Sequence, residues 1–265
     1  MPSSSAIGPA SAPHSDIILS ARALTKTFRG FTAVSGVDLD IKRGHIHALI
    51  GPNGAGKTTC FNLLTKFLAP TSGSITYDGV DITRSEPAEI ARLGLVRSFQ
   101  ISAVFPRLTA LANVRIALQR KRRGDSFDFW RSARCLGALE DEAMALLEVV
   151  GLAEFAQANA GELPYGRKRA LELATTLALD PQMLLLDEPM AGVGKEDIEK
   201  IVGLISRVSK DRTILMVEHN LSVVSSLSNQ ITVLARGRIL AEGDYETVSK
   251  DPRVIEAYLG ASGAH

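Results

Sequence analysis

The stretch GPNGAGKTT at 51–59 combines residue types that can hold a chain of phosphates. Its spacing is glycine, four residues, glycine, lysine, threonine. Gly51, Pro52, Asn53, Gly54, Ala55 and Gly56 form a loop whose backbone can wrap closely around an anion with its N–H groups turned inward. The helix expected from Lys57 onward adds positive potential at its start. Lys57 is placed to meet the β and γ phosphates, and the Thr58 hydroxyl, followed by Thr59, to ligate Mg²⁺. The apolar run HIHALI leads into the loop, which supplies the strand-to-helix context the motif needs. Taken alone, the loop specifies a nucleoside triphosphate and nothing narrower.

A second constellation is MLLLDEP at 183–189, a buried-type apolar strand that ends in two acids. Downstream of a phosphate loop, Asp187 is expected to hold Mg²⁺ through water and Glu188 to polarise the attacking water. Two adjacent carboxylates in these two roles need different surroundings. Gln100 closes the β-like run LGLVRSFQ, and His219 closes TILMVEH. Strand ends on one edge of a parallel sheet converge on the ligand crevice, which raises both residues above ordinary surface positions.

The elements that must position these residues can be read from periodicity. IILSARALTKTF and VSGVDLDI alternate like half-buried strands, and SITYDG with DIT reads as a short β pair. A helix is expected from about Lys57 to Leu68. LTALANVRIALQ, LEDEAMALLEVVGL, RKRALELATTLAL and EDIEKIVGLISRVSK carry apolar residues at helical spacing, and ITVLARG with RILAEG reads as a terminal hairpin. Strands alternating with helices predict a mostly parallel sheet covered on both faces. The basic and aromatic stretch RKRRGDSFDFWRSARCLG reads as a solvated loop with a short helix; Phe129 and Trp130 leave open a surface near lipid headgroups or a membrane partner.

Bulk properties exclude several classes. The net charge of +1 in 265 residues excludes a broad nucleic-acid surface. The 2 cysteines, Cys60 and Cys135, form no disulfide framework, and Cys60 is expected as a buried thiol in a reducing compartment. No run of about 18 apolar residues exists, so the chain is not expected to span a membrane by itself. The opening MPSSSAIGPASAPHS lacks the basic start and apolar run of a secretory signal and reads as a disordered tail over residues 1–15.

The order GPNGAGKTT, Gln100, LPYGRKRALELA, MLLLDEP and His219 resembles the nucleotide-binding domain of ATP-binding cassette (ABC) transporters, from about Asp16 to Gly260. Within that superfamily, LPYG, EPMAG, VEHN and the ending DPRVIEAYLG resemble the ATPase subunits of branched-chain amino acid importers. The resemblance implies an α/β P-loop fold over 16–260, with a mostly parallel core sheet, an antiparallel β subdomain, a helical subdomain at about 101–165, and a tail at 261–265. It implies ATP and Mg²⁺ as ligands, with Thr58, Gln100 and Asp187 at the metal. Phe28 resembles the aromatic residue that stacks on adenine, Gln100 the contact that also senses the permease, Glu188 the catalytic base, and His219 the γ-phosphate contact. The implied partners are a second ABC ATPase subunit, identical or related, two membrane permeases and an external solute-binding protein. The implied location is the cytoplasmic face of the cell membrane.

Two departures accompany the resemblance. The family's LSGGQ reads Leu163, Pro164, Tyr165, Gly166, Arg167 here, without the serine hydroxyl that reaches the partner's ATP. Pro164 suits a first helical turn, and Gly166 with the helix N-terminus is expected to keep a weakened contact to that ATP. Gly194 stands where an aspartate usually tightens communication between subunits. If the two subunits differ, their sites are expected to hydrolyse at unequal rates. Two other readings compete. A soluble ABC ATPase of translation or DNA repair typically carries two cassettes or a coiled-coil insertion, whereas this chain has one phosphate loop and no heptad run. A GTPase or small-molecule kinase does not account for the Gln, LPYG, DEP and His series.

Overall fold

The computed structural model describes residues 16–98, 104–121 and 133–262. The expected tail at 1–15, Gln100, and the Phe129–Trp130 pair lie outside the described residues. Ten strands occur among those described: β1 Ile17–Phe28, β2 Phe31–Lys42, β3 Ile46–Ile50, β4 Ser72–Tyr77, β5 Val80–Asp81, β6 Leu95–Arg97, β7 Met183–Asp187, β8 Thr213–Val217, β9 Gln230–Ala235 and β10 Arg238–Gly243. The helices are α1 Lys57–Leu64, α2 Pro87–Arg92, α3 Ala110–Lys121, α4 Ala133–Val149, α5 Tyr165–Leu177, α6 Lys195–Val208, α7 Leu221–Leu227, α8 Tyr245–Ser249 and α9 Pro252–Ser262. Two single 3₁₀ turns, at Ala153–Phe155 and Ala160–Glu162, lie between α4 and α5.

The strands form two sheets. One is four-stranded and antiparallel, in the order β2-β1-β4-β5. The other is six-stranded, in the order β10-β9-β3-β8-β7-β6, parallel from β9 to β6 with β10 antiparallel at its edge. The mostly parallel sheet and the antiparallel layer agree with the sequence pattern. β3, β7 and β8 are buried along their whole length and largely apolar because both faces are covered. Their side chains alternate between two cores. Ile46, Ala48, Leu184, Leu186, Ile214 and Met216 pack with the helices α3 to α7. Leu49, Met183, Leu185, Leu215 and Val217 pack with α1 and the antiparallel sheet.

Several boundaries differ from expectation. α1 ends at Leu64 instead of Leu68, because Lys66 adopts a left-handed φ of 61° and the Thr65 hydroxyl bonds back to the Phe61 carbonyl. β8 ends at Val217, so His219 sits in the following loop rather than on the strand. Pro164 is the N-cap of α5, one residue ahead of the first helical turn where it was expected, with φ −55° and ψ 156°. α9 runs to Ser262. Four helices, α2, α7, α8 and α9, were not anticipated, yet the three short ones carry readable caps. Glu86 and Glu89 form a capping box around Pro87 at the start of α2, Asn220 caps α7, and Asp244 caps α8.

Cys60 is fully buried, as expected, and burial pushes its thiol up to about 12. A polar pair lies within the second core: His47, 1% exposed, bonds through Nε2 to the Thr232 hydroxyl at 2.8 Å. Burial, helped by the charge of His45, lowers the His47 pKa to about 3. The unfolded chain therefore takes up a proton near pH 6.5 that the native chain refuses until about pH 3. No stability is lost above 6.5, and stability falls as pH drops through that window, by about 1.4 kcal/mol per pH unit from this group. In urea denaturation between pH 6.5 and 4, we expect His47→Asn to lose stability less steeply than the parent chain. Equal slopes would rule out His47 as the source.

Candidate functional site

Parallel pairing places four loops side by side. Leu49 is in register with Val217, Val217 with Asp187, and Leu185 with Arg97. The chain therefore leaves β3, β8, β7 and β6 along one edge, at the carboxyl ends of the strands, where open α/β sheets bind ligands. The phosphate loop follows β3, Glu188 follows β7, Glu218 and His219 follow β8, and the segment toward Gln100 follows β6.

Within the loop, Gly51 has φ 148°, and an added Cβ would stand 2.1 Å from the Leu234 carbonyl oxygen. Only glycine allows that approach to β9. Gly56, with φ 98°, is the N-cap of α1, so the helix starts at Lys57. The Lys57 ammonium folds back onto the Gly51 and Pro52 carbonyl oxygens at 2.7 and 3.1 Å. Burial lowers its pKa, and the nearby Glu188 charge acts in the opposite direction. Asn53, Gly54 and Thr58 are exposed, Pro52 and Thr59 are half-buried, and Ala55 is buried. The loop thus presents an open face with its lysine parked underneath.

Asp187 is almost wholly buried, and its carboxylate lies 2.6 Å from the Arg97 guanidinium. Burial raises the Asp187 pKa, and Arg97 counters that shift. The same guanidinium donates to the Asn62 side chain at 2.6 Å and lies 4.9 Å from the Phe61 ring and 5.3 Å from the Phe67 ring. Sequence reasoning passed over Arg97, although it stands three residues ahead of Gln100 in the run singled out. Among the described residues no group of three His, Cys, Asp or Glu could cage a metal. One buried carboxylate and one hydroxyl, Asp187 and Thr58, fit Mg²⁺, which usually takes one or two protein oxygens and completes its shell with phosphate and water.

Glu188 has φ 47°, a left-handed conformation that a non-glycine residue adopts only under constraint. Its N–H donates to the Val217 carbonyl at 2.9 Å. His219 is exposed, with Nδ1 3.6 Å from Glu218 Oε1. Glu218 itself is fully buried and was not singled out from the sequence. Phe28, 41% exposed, sits at the end of β1, with the Lys26 ammonium 5.2 Å from its ring.

The signature segment faces both outward and inward. Leu163 is buried, while Pro164, Tyr165 and Arg167 are exposed. The Arg167 guanidinium stacks 3.7 Å from the Phe155 ring. The Tyr165 hydroxyl donates to the Ala191 carbonyl at 2.8 Å and accepts from Arg169. Gly192, with φ 73°, leaves room for that phenol: a Cβ there would meet its oxygen at 3.2 Å. A Cβ on Gly166 would meet the Asp197 carboxylate at 2.9 Å, so α6 closes one side of that glycine. At the C-terminus, Tyr258 of α9 makes a hydrogen bond with the Gly51 backbone, and its pKa is raised by burial.

Comparison with known proteins gives consistent likenesses. A family described as ABC transporter matches residues 34–191, and one described as branched-chain amino acid ATP-binding cassette transporter matches residues 238–264. The chain is 39% identical over 249 residues to the high-affinity branched-chain amino acid transport ATP-binding protein BraF of Pseudomonas aeruginosa, covering 92% of this chain and 98% of that protein. It is 36% identical to LivG of Escherichia coli, a protein of the same description, over the same shares. The crystal structure of the ADP conformation of an ATP-binding cassette of an ABC transporter superposes with a TM-score of 0.80 at 30% identity, covering 93% of this chain and 100% of that one.

The Arg97–Asp187 pair generates a prediction. Removing one partner of a buried ion pair leaves an uncompensated charge, at a cost of about 3–5 kcal/mol. Arg97→Met should lower stability without nucleotide by about 3 kcal/mol, read in urea denaturation. Mg²⁺ with ADP should raise the variant's midpoint more than the parent's, because a cation held at Asp187 would supply what the arginine did. A shift no larger than in the parent would contradict this.

Proposed function

The chain belongs to the ABC transporter family, and we propose that it energises a branched-chain amino acid importer by hydrolysing ATP at the edge formed by β3, β8, β7 and β6. It is an ATP-binding ATPase subunit of a transporter. The observation that carries the importer reading is the likeness of its C-terminal segment to the branched-chain amino acid branch, in a chain that its relatives match almost from end to end.

The site roles belong to the same proposal. The phosphate loop binds the triphosphate with its backbone N–H groups, and Lys57 leaves the Gly51 and Pro52 carbonyls to reach the β and γ oxygens. Phe28 is an exposed aromatic available to the adenine. Glu188 accepts a proton from the attacking water, and His219 donates to the γ-phosphate. Thr58, Asp187 and Gln100 would hold Mg²⁺, which offsets charge on the phosphates when bound. Leu163 to Arg167 meet the ATP of a partner subunit.

Partners are read in the same way. No helix among the described residues is long and apolar enough to cross a membrane. The exposed Phe67, Leu93, Phe105 and Leu108 bracket the Arg97–Gln100 segment in sequence and support a permease contact there. We place the chain on the cytoplasmic face of the membrane, beneath two permeases and beside a second ATPase subunit, with an external binding protein delivering solute. Binding of ATP favours a closed pair of subunits, and hydrolysis removes the γ-phosphate contacts that held it.

Two experiments test this. Lys57→Ala should abolish ATP binding, whereas Glu188→Gln should bind ATP and lose about 10² or more of its turnover; full turnover in Glu188→Gln would remove Glu188 as the base. Vesicles carrying the assembled transporter should accumulate leucine only when ATP is on the side bearing this chain. ATP-driven efflux of leucine would overturn import.

A further inference from the structure

Glu218 follows the buried run of β8 and is 0% exposed. Burying a carboxylate costs several kcal/mol unless donors replace water. Here three backbone N–H groups do so. Oε1 accepts from His219 at 2.8 Å and from Asn220 at 3.0 Å, and Oε2 accepts from Met190 at 3.3 Å. These donors belong to two different loops. Met190 lies two residues beyond Glu188, and His219 is the residue assigned to the γ-phosphate. One side chain therefore ties the backbone carrying the base to the backbone carrying the phosphate contact.

We infer that Glu218 is a positioning residue that sets the separation of Glu188 and His219 for hydrolysis. It touches neither ATP nor water in this role. On its β8 side the loop after β7 is held at two points, the Glu188 N–H on Val217 and the Met190 N–H on Glu218. Together they maintain the left-handed Glu188 backbone, a conformation that surroundings must enforce. A misplacement of about 1 Å at such a site can cost on the order of 10² in rate. ATP affinity is governed by a different loop, after β3, so the inference separates affinity from turnover. It rests on the reading of Glu188 and His219 given above.

The test uses the full-length chain. Glu218→Gln keeps size and shape but turns an amide NH₂ toward N–H donors, and Glu218→Asp keeps the charge but is too short to span both loops. Both should retain the Kd for ATP within threefold, measured with a fluorescent ATP analogue, and the KM within threefold. Both should lose at least tenfold in kcat. Glu188→Gln is run alongside: if it retains turnover, the base assignment fails, and the inference with it. If it is inactive and both Glu218 variants keep kcat within twofold, the positioning role alone is overturned. Parallel loss of ATP affinity and kcat, or failure of both variants to fold, would make Glu218 a structural residue and also overturn it.

Discussion

Everything at the site depends on the register of the parallel strands. Leu49, Val217 and Asp187 lie abreast, and Arg97 lies opposite Leu185. A slip of one residue in any strand would move its side chains to the other face and exchange the two cores. The alternation of Leu184 and Leu186 into one core, and of Met183 and Leu185 into the other, fixes that register through burial. The loops inherit their alignment from hydrophobic packing several residues away. Chemistry at the edge is a consequence of layers that never touch substrate.

Two cationic side chains at this edge find their partners within the chain. Lys57 bonds two carbonyls of its own loop, and Arg97 pairs with Asp187. Both cationic side chains are thereby satisfied by oxygens of the chain itself. On the proposed site roles, Mg²⁺ and ATP would exchange these partners rather than add charges to the edge. Arg97 is the member with the longest reach. It ends β6, contacts Asn62 and Phe61 of α1, and precedes the segment that leads to Gln100. Any change at Asp187 is thereby felt by the strand that enters that segment.

The sequence made legible those parts whose residue types carry their own geometry. GPNGAGKTT demanded a strand before it and a helix after it, and both are present. MLLLD demanded burial on both faces and has it. What escaped was long-range pairing. Nothing in LVRSFQ says that Arg97 will meet Asp187, 90 residues away, because that contact exists only once β6 and β7 are neighbours. Glu218 was hidden for a related reason: an acid at the end of an apolar strand reads as surface until both loops that solvate it are in place. The short helices were missed although their caps were in view, since two turns hold too few residues for periodicity to speak. His219 was placed on a strand because the apolar run ends just before it, and the buried Glu218 continues that run in burial though not in polarity.

The signature departure has a further consequence through Tyr165. A glycine at that position could not reach across to Ala191, whereas the phenol does, and Gly192 leaves space for it. The loop at 188–193 is then gripped on one side by Glu218 and on the other by the signature helix. Gly194 lacks the aspartate expected to carry messages between subunits, but a path remains within the chain. Any force on α5 is passed through the Tyr165 hydroxyl to Ala191, three residues from Glu188. The signature segment is therefore not only an outward surface. By its tyrosine it also belongs to the frame that holds the Glu188 loop.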